Sequence, residues 1–343
     1  MVKWFIITFI IIITKLILGD LNKYKRKDIF LFVSFIAIVI GLTLRKANMD
    51  LPSGDLDYYY RTYNSAIYSN FNVFIKTKNM ETGYLLLNRF LAYIFPFPRF
   101  IFFFQGAFVT GSFFYIIRKY SPNVFLSLFL YLSLGLFVFC YTGFRQSIAI
   151  SICMLSIPLL LNKKYFWCLI MTGIAYLFHH TAIIFLLFIL LHNLKISKRN
   201  IIIYLLVIFV ISILTPTLIK IGNDFFNKDY KVNDGFSWTS GLLTLALYLF
   251  CIVLYLLYVK KDVSKVEIVF WNLSMIALTM FMGRYSTKIL ERMSFYFVLG
   301  FSFILPFALQ NIKNKTVSDF LILTTEILSV LLFVYKTLNN IVV

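Results

Sequence analysis

Apolar runs of about fifteen to twenty residues recur along this chain, each long enough as a helix to cross roughly 30 Å of hydrocarbon. Short polar clusters separate them, and no stretch is left over to fold as a soluble domain. The pattern predicts an all-α, polytopic transmembrane helical bundle, with residues 1–343 forming a single integral membrane domain. Lys and Arg collect on cytoplasmic loops, so the basic clusters assign the sides. Lys23, Lys25, Arg26 and Lys27 mark the first such loop. The run before it, 4–18, contains Lys15 and lacks a small-residue cleavage site, so it reads as a retained span and not a removable signal. A second span at 29–44 then delivers residues 45–81 to the outside.

Segment 82–95 is short, is interrupted by Asn88 and Arg89, and is closed by Pro96-Phe97-Pro98. It reads as a helix lying in the outer interface. Spans at 99–117, 123–141 and 144–161 follow, with Arg118-Lys119 and Lys163-Lys164 inside. Residues 165–192 are long for one helix and carry His179-His180-Thr181 at their centre. Lys195, Lys198 and Arg199 beyond them also belong inside, which requires an even number of crossings. Two half-helices meeting near His179 meet that requirement, and such breaks are tolerated where backbone is buried in protein or lines a wet cavity. A single tilted span is the alternative and would invert everything before it. Further spans at 200–218, 241–259, 266–282, 293–309 and 318–335 bring the count to roughly ten full spans and one split hairpin. That makes about 10–12 crossings, and a GT-C-like bundle is one form they could take.

Arg145 and Gln146 interrupt this pattern between two apolar runs. An arginine at the centre of a span costs about 2.5–3.5 kcal/mol on insertion scales, so Arg145 belongs at a membrane face or in a protein-lined cavity. It is either an anchor reaching for headgroups or an anion-binding group at the top of a cavity. Ser147 with Ser151, and Ala149 with Cys153, give its helix two small-residue lines for close packing.

Composition changes little. Apolar residues make up 61% of the chain, 40 residues are Phe, and the bias to Phe, Ile, Lys, Asn and Tyr is that of an AT-rich bacterial genome. The net charge of +19 comes from the clusters between spans and gives no reason to expect nucleic acid. Cys140, Cys153, Cys168 and Cys251 lie in or beside apolar runs without C-x-x-C spacing and read as core residues. Adjacent histidines diverge by about 100° on a helix, so His179 and His180 cannot share a metal, and no zinc site is expected. There is no P-loop or G-x-G-x-x-G.

With these sides, Asp57, Glu81, Arg89, Arg145, His179, Arg284, Glu291 and Arg292 gather at the outer face. Asp57 forms a D-x-D with Asp55 in a loop expected to be hydrated. Arg284, Lys288 and Arg292, four apart, would form one cationic helix stripe, and as outer basic residues they break the cytoplasmic bias. Glu326 sits near the middle of the last span, where pairing with a neighbouring helix would account for it.

Several of these residues resemble the EpsG family of exopolysaccharide polymerases, Wzy-like proteins of capsule and exopolysaccharide clusters. The resemblance lies in Arg145-Gln146-x-x-Ala149, Ala175-x-x-Phe178-His179-x-Thr181-Ala182, Asp57-Tyr58-Tyr59-Tyr60 with Tyr63, Glu81-x-Gly83-Tyr84-x-x-x-Asn88, and Arg292-x-x-x-Tyr296-Phe297. These run in family order over about residues 40–300. Gly54 no longer directly precedes the aspartate-tyrosine pattern, and the C-terminal end carries no family motif. The resemblance implies a multi-pass glycosyltransferase of the bacterial cytoplasmic membrane that joins undecaprenyl-diphosphate-linked oligosaccharide repeat units at the outer face. Arginines would neutralise the leaving diphosphate, so neither cofactor nor metal is called for. On this reading Arg145, Arg284 and Arg292 surround the diphosphate, together with Gln146, Glu81 and Arg89 in the substrate site. Asp57 or His179 is the base, and Tyr60, Tyr63 and Tyr84 are stacking platforms for sugar. Expected partners are the lipid-linked oligosaccharide, the bilayer, and the chain-length regulator and flippase of the same pathway. The rivals are a flippase for the same lipid-linked sugar, for which inverted repeats and midplane polar groups would be expected, and a membrane O-acetyltransferase, which should keep a histidine towards the cytosolic acyl donor.

Overall fold

A computed structural model describes residues 2–21, 23–45, 55–77, 79–226, 241–260, 262–285 and 287–340. Gly54 and most of the segment between the spans expected at 200–218 and 241–259 lie outside the described residues. Among those described there is no strand, and the helices fall into two compact units, 1–183 with 326–343, and 184–325.

The first unit contains α1 (Val2–Leu18), α2 (Tyr24–Thr43), α3 (Asp55–Tyr68), α4 (Phe71–Thr77), α5 (Thr82–Ile94), α6 (Phe100–Tyr120), α7 (Val124–Ser133), α8 (Leu136–Thr142), α9 (Phe144–Leu155), α10 (Ile157–Leu161) and α11 (Tyr165–Phe178). The second holds α12 (Phe185–Leu191), α13 (Lys198–Phe226), α14 (Leu242–Tyr258), α15 (Lys265–Met282), α16 (Lys288–Ser294) and α17 (Phe301–Gln310). The last helix, α18 (Lys315–Asn340), begins in the second unit and ends in the first.

By length and composition four helices can cross a membrane among the described residues: 100–120, 144–161, 265–282 and 315–337. They become six if two bent pairs each count as one span. The larger number expected from apolar runs includes helices such as α1 and α14, whose 17 residues reach only about 26 Å at 1.5 Å per residue. The run 123–141 was expected as one full span. Instead α7 and α8 meet at a 55° bend, where Gly135 takes φ +100°, a conformation other residues adopt at a cost. The run 293–309 is also bent, by 49°, between α16 and the turn that opens α17.

Within the first unit α2 packs on α1 and α6, α6 on α9, α9 on α11, and α5 on both α3 and α11. Ser147, Ala149, Ser151 and Cys153 are all buried completely, so the small-residue lines of α9 allow the close packing their spacing suggested. Glu326 pairs with neighbouring helices: the Lys15 ammonium pairs with its carboxylate, and Asn123 Nδ2 donates to Oε1 at 3.0 Å. Lys15 also lies 4.0 Å from the centre of the Phe125 ring.

In the second unit, Tyr248 stacks on Phe301 at 4.1 Å and Phe270 on Phe303 at 3.8 Å. Asn272 of α15 donates to the carbonyls of His192 and Leu194 and accepts from the Tyr204 hydroxyl. One buried amide thus closes off the end of α12.

Candidate functional site

The hairpin of α9–α10 and α11 puts Arg145 and His179 at the same end. Eighteen residues run from Phe144 to Leu161, about 27 Å of helix. A tight turn at 162–164, with Lys163 in the left-handed region at φ +58°, sends the chain back. The fourteen residues of α11 return about 21 Å, and the helix stops at Phe178. His179 is extended, with φ −160° and ψ 121°. A short 3₁₀ turn follows from His180, so the helix breaks at the histidine, as expected. The His180 ring packs on Tyr176.

Glu81 reaches both ends of this hairpin. It sits just before α5 and is 8% exposed. Its Oε1 lies 2.8 Å from His179 Nδ1, and its Oε2 accepts from Arg145 Nη1. Gly83 explains the approach. A Cβ at that position would stand 2.6 Å from the carbonyl oxygen of Leu177, so only glycine lets the start of α5 lie against the end of α11. An ionised carboxylate accepts only, so Nδ1 carries the shared proton, and Nε2 is the ring nitrogen that can serve as an acceptor. Burial by itself would raise the Glu81 pKa. The hydrogen bond from His179 and the charge of Arg145 outweigh it and hold the carboxyl down at about 2.

Tyr59 completes the cluster, and the sequence reading had given it no separate role. Its ring stacks on Phe144 at 4.6 Å and meets Tyr84 edge-on, while its phenol hydrogen-bonds Arg145. Burial pushes that phenol above its usual pKa, against the pull of the neighbouring guanidinium.

The other expected site residues fall in different places. Asp57 lies in the first turn of α3 and is 5% exposed; the hydrated loop expected there is a packed helix. Tyr63 and Tyr84 are wholly buried, the former donating to the carbonyl of Phe95. Their rings pack against protein and cannot be the sugar platforms expected of them. Tyr60 is partly exposed, 6.1 Å from Phe102. Arg89 donates to the carbonyls of Ala66 and Ser69, capping α3 with a side chain from α5. Gln146 is buried beside Arg145.

In the second unit the expected Arg284–Lys288–Arg292 stripe does not form. Arg284 belongs to a 3₁₀ turn, 283–285, and a new helix starts at Lys288, because Thr287 is extended and caps it through Ile289 N–H. Arg284 Nη1 donates to Glu291 at 3.0 Å, and its guanidinium stands 5.1 Å from the Phe281 ring. Arg292 lies one residue beyond Glu291 in the same short helix.

Residues 28–342 match the EpsG family. The chain belongs to that family. EpsG proteins are Wzy-like polymerases, so membership points to an exopolysaccharide-related polymerase set in a membrane. No curated protein and no solved structure matches the chain.

Proposed function

We propose that this EpsG protein is a multi-pass glycosyltransferase of the bacterial cytoplasmic membrane that polymerises undecaprenyl-diphosphate-linked oligosaccharides at its outer face. The observation that carries this reading is one buried carboxylate, Glu81, gripping Arg145 on one oxygen and His179 on the other. Such a trio suits transfer from a glycosyl diphosphate. The acceptor hydroxyl attacks the anomeric carbon of the donor sugar, and His179 Nε2 takes the hydroxyl proton. The bond from that carbon to the diphosphate oxygen breaks, and the lipid diphosphate leaves with the electron pair. Arg145 stabilises the charge that develops on it. Of its five donors, Nη1 is held by Glu81, while Nε is buried without a hydrogen-bond partner; an anion would relieve that cost. The paired carboxylate keeps the guanidinium aimed and the imidazole in one tautomer, as in other histidine-based proton transfers.

Asp57, Gln146 and Tyr60 are assigned to the acceptor side, and Arg284 and Arg292, in the second unit, to an anion contact of their own. A flippase remains the rival from another class, and it would need no proton acceptor. The decisive assay uses purified protein in proteoliposomes with lipid-linked repeat unit and no nucleotide sugar. Appearance of longer lipid-linked chains with release of undecaprenyl diphosphate is expected. Translocation of the repeat unit without chain growth would sink the proposal.

A further inference from the structure

Arg45 lies at the end of α2 and is 0% exposed. Among the described residues its hydrogen bonds go to neutral acceptors. Nε donates to the Leu42 carbonyl at 2.6 Å, Nη1 to the Tyr141 carbonyl at 2.7 Å, and Nη2 to the Phe102 carbonyl at 3.0 Å and to Gln105 Oε1 at 2.8 Å. The guanidinium is wrapped by the rings of Phe102, Tyr141 and Phe144, nearest to Phe144 at 4.4 Å. Gln105 extends the network, donating to the Cys140 carbonyl at 2.9 Å and to Ser147 Oγ at 2.8 Å. Two side chains therefore hold residues 140, 141, 144 and 147, which bracket Arg145 on both sides.

We infer that Arg45, acting through Gln105, is a positioning residue: it fixes the 140–147 turn so that the Arg145 guanidinium is presented to substrate in one geometry. The reason to pick Arg45 over a generic packing role is its form. A buried cation costs several kcal/mol, and apolar residues of equal volume commonly stabilise as well or better. What a planar fork adds is direction, since it ties four acceptors from three helices to one point. The inference rests on Arg145 being the anion-binding group proposed above.

The test separates the two claims with a native reporter. Cys140 sits in the held turn and is 3% exposed. With Cys153, Cys168 and Cys251 replaced by Ala, its modification by a small methanethiosulfonate reads how often the turn opens. The pair Arg45→Met with Gln105→Leu keeps volume and removes the fork. It also leaves buried carbonyls unpaired, so yield and melting temperature are expected to fall, and both readouts are taken per folded protein. Cys140 modification should quicken about tenfold or more, as for a local opening. Polymerisation should fall about a hundredfold, and adding Arg145→Lys should lower it scarcely further, as for residues acting as one unit. Unchanged Cys140 reactivity overturns the inference whatever the activity, and so do losses that simply multiply. Where too little folded pair is recovered, Arg45→Lys carries the same readouts with the charge retained. A fully active Arg145→Lys protein would instead sink the proposed role of Arg145, leaving the thiol result to report on the turn alone.

Discussion

Arg45 and Arg145 stand at the same end of the first unit and are handled in opposite ways. Arg45 is sealed, wrapped by three aromatic rings and bonded to carbonyls and one amide. Arg145 keeps a quarter of its side chain exposed and leans on a carboxylate. A cation closed in by neutral acceptors organises backbone. One left partly open, with an anion steering it and donors to spare, is fit to meet a ligand. Charge type alone could not separate them.

The largest expected effect therefore divides the two arginines. Arg145→Lys retains charge but loses the fork, and polymerisation is expected to fall about 10²–10³-fold, as when one preorganised donor is lost. The melting temperature in detergent should hold. Arg45→Ala leaves several buried acceptors unpaired at about 1–3 kcal/mol each, so folded protein should be scarce. Equal loss of yield in both variants would erase the distinction.

The next effect tests whether Glu81 serves its two partners as one unit. His179→Gln should cost about a hundredfold in rate, in the range for a lost general base. Glu81→Gln, which keeps hydrogen bonds but loses charge, should cost about tenfold to a hundredfold, as for an orienting carboxylate. The double variant should be scarcely slower than His179→Gln alone. Independent losses that multiply would mean that Glu81 acts on substrate directly, away from the histidine.

The sequence made the helical membrane architecture legible because apolar runs report on helix length. It also placed Arg145, Glu81 and His179, with five other charged residues, among the groups too expensive to keep near lipid without a reason. It could not say that one carboxylate joins them, since Glu81 lies 64 residues from Arg145 and 98 from His179. Gly83 was the available signal, a glycine two residues past the acid where a helix begins. The break at Gly135 was missed because hydropathy continues across it unchanged. Tyr63 and Tyr84 were misjudged because an aromatic ring in a polar neighbourhood reads alike whether it faces solvent or the core. Arg45 was read as the edge of a loop; nothing in its neighbours announced the carbonyls from α6 and α8 that enclose it.

A second comparison lies along α1. Lys3, near its start, donates to the carbonyls of Gly41 and Leu44 close to Arg45. Lys15, twelve residues on and about 18 Å further, pairs with Glu326. The Lys15 end has no histidine in its cluster, and its polar groups tie α18 to α1 and α7. Glu326→Gln is thus expected to lower stability by about 1–3 kcal/mol, the usual cost of weakening a buried charged hydrogen bond, with the specific activity of the surviving protein unchanged. A loss of activity beyond the loss of folded protein would give this end a part in the reaction.

The smallest effect comes from titrating Glu81. Its carboxyl, raised by burial but pulled down further by His179 and Arg145, is held at about 2, against about 4.3 in an unfolded chain. A group depressed in the folded state adds stability that is fully present above its unfolded pKa and is lost as pH falls through its folded one. The window here runs from about pH 4.3 down to about 2. Asp28 is also held low, by its hydrogen bond from Arg118, so acid destabilises the protein for more than one reason. Subtraction removes that complication, because Asp28 is the same in wild type and in Glu81→Gln. The melting-temperature difference between the two proteins should shrink as pH drops from about 4.3 towards 3. A difference that stays constant over the whole range would mean that the carboxylate is not held by Arg145 and His179, and the arrangement of the three could not then be the working site.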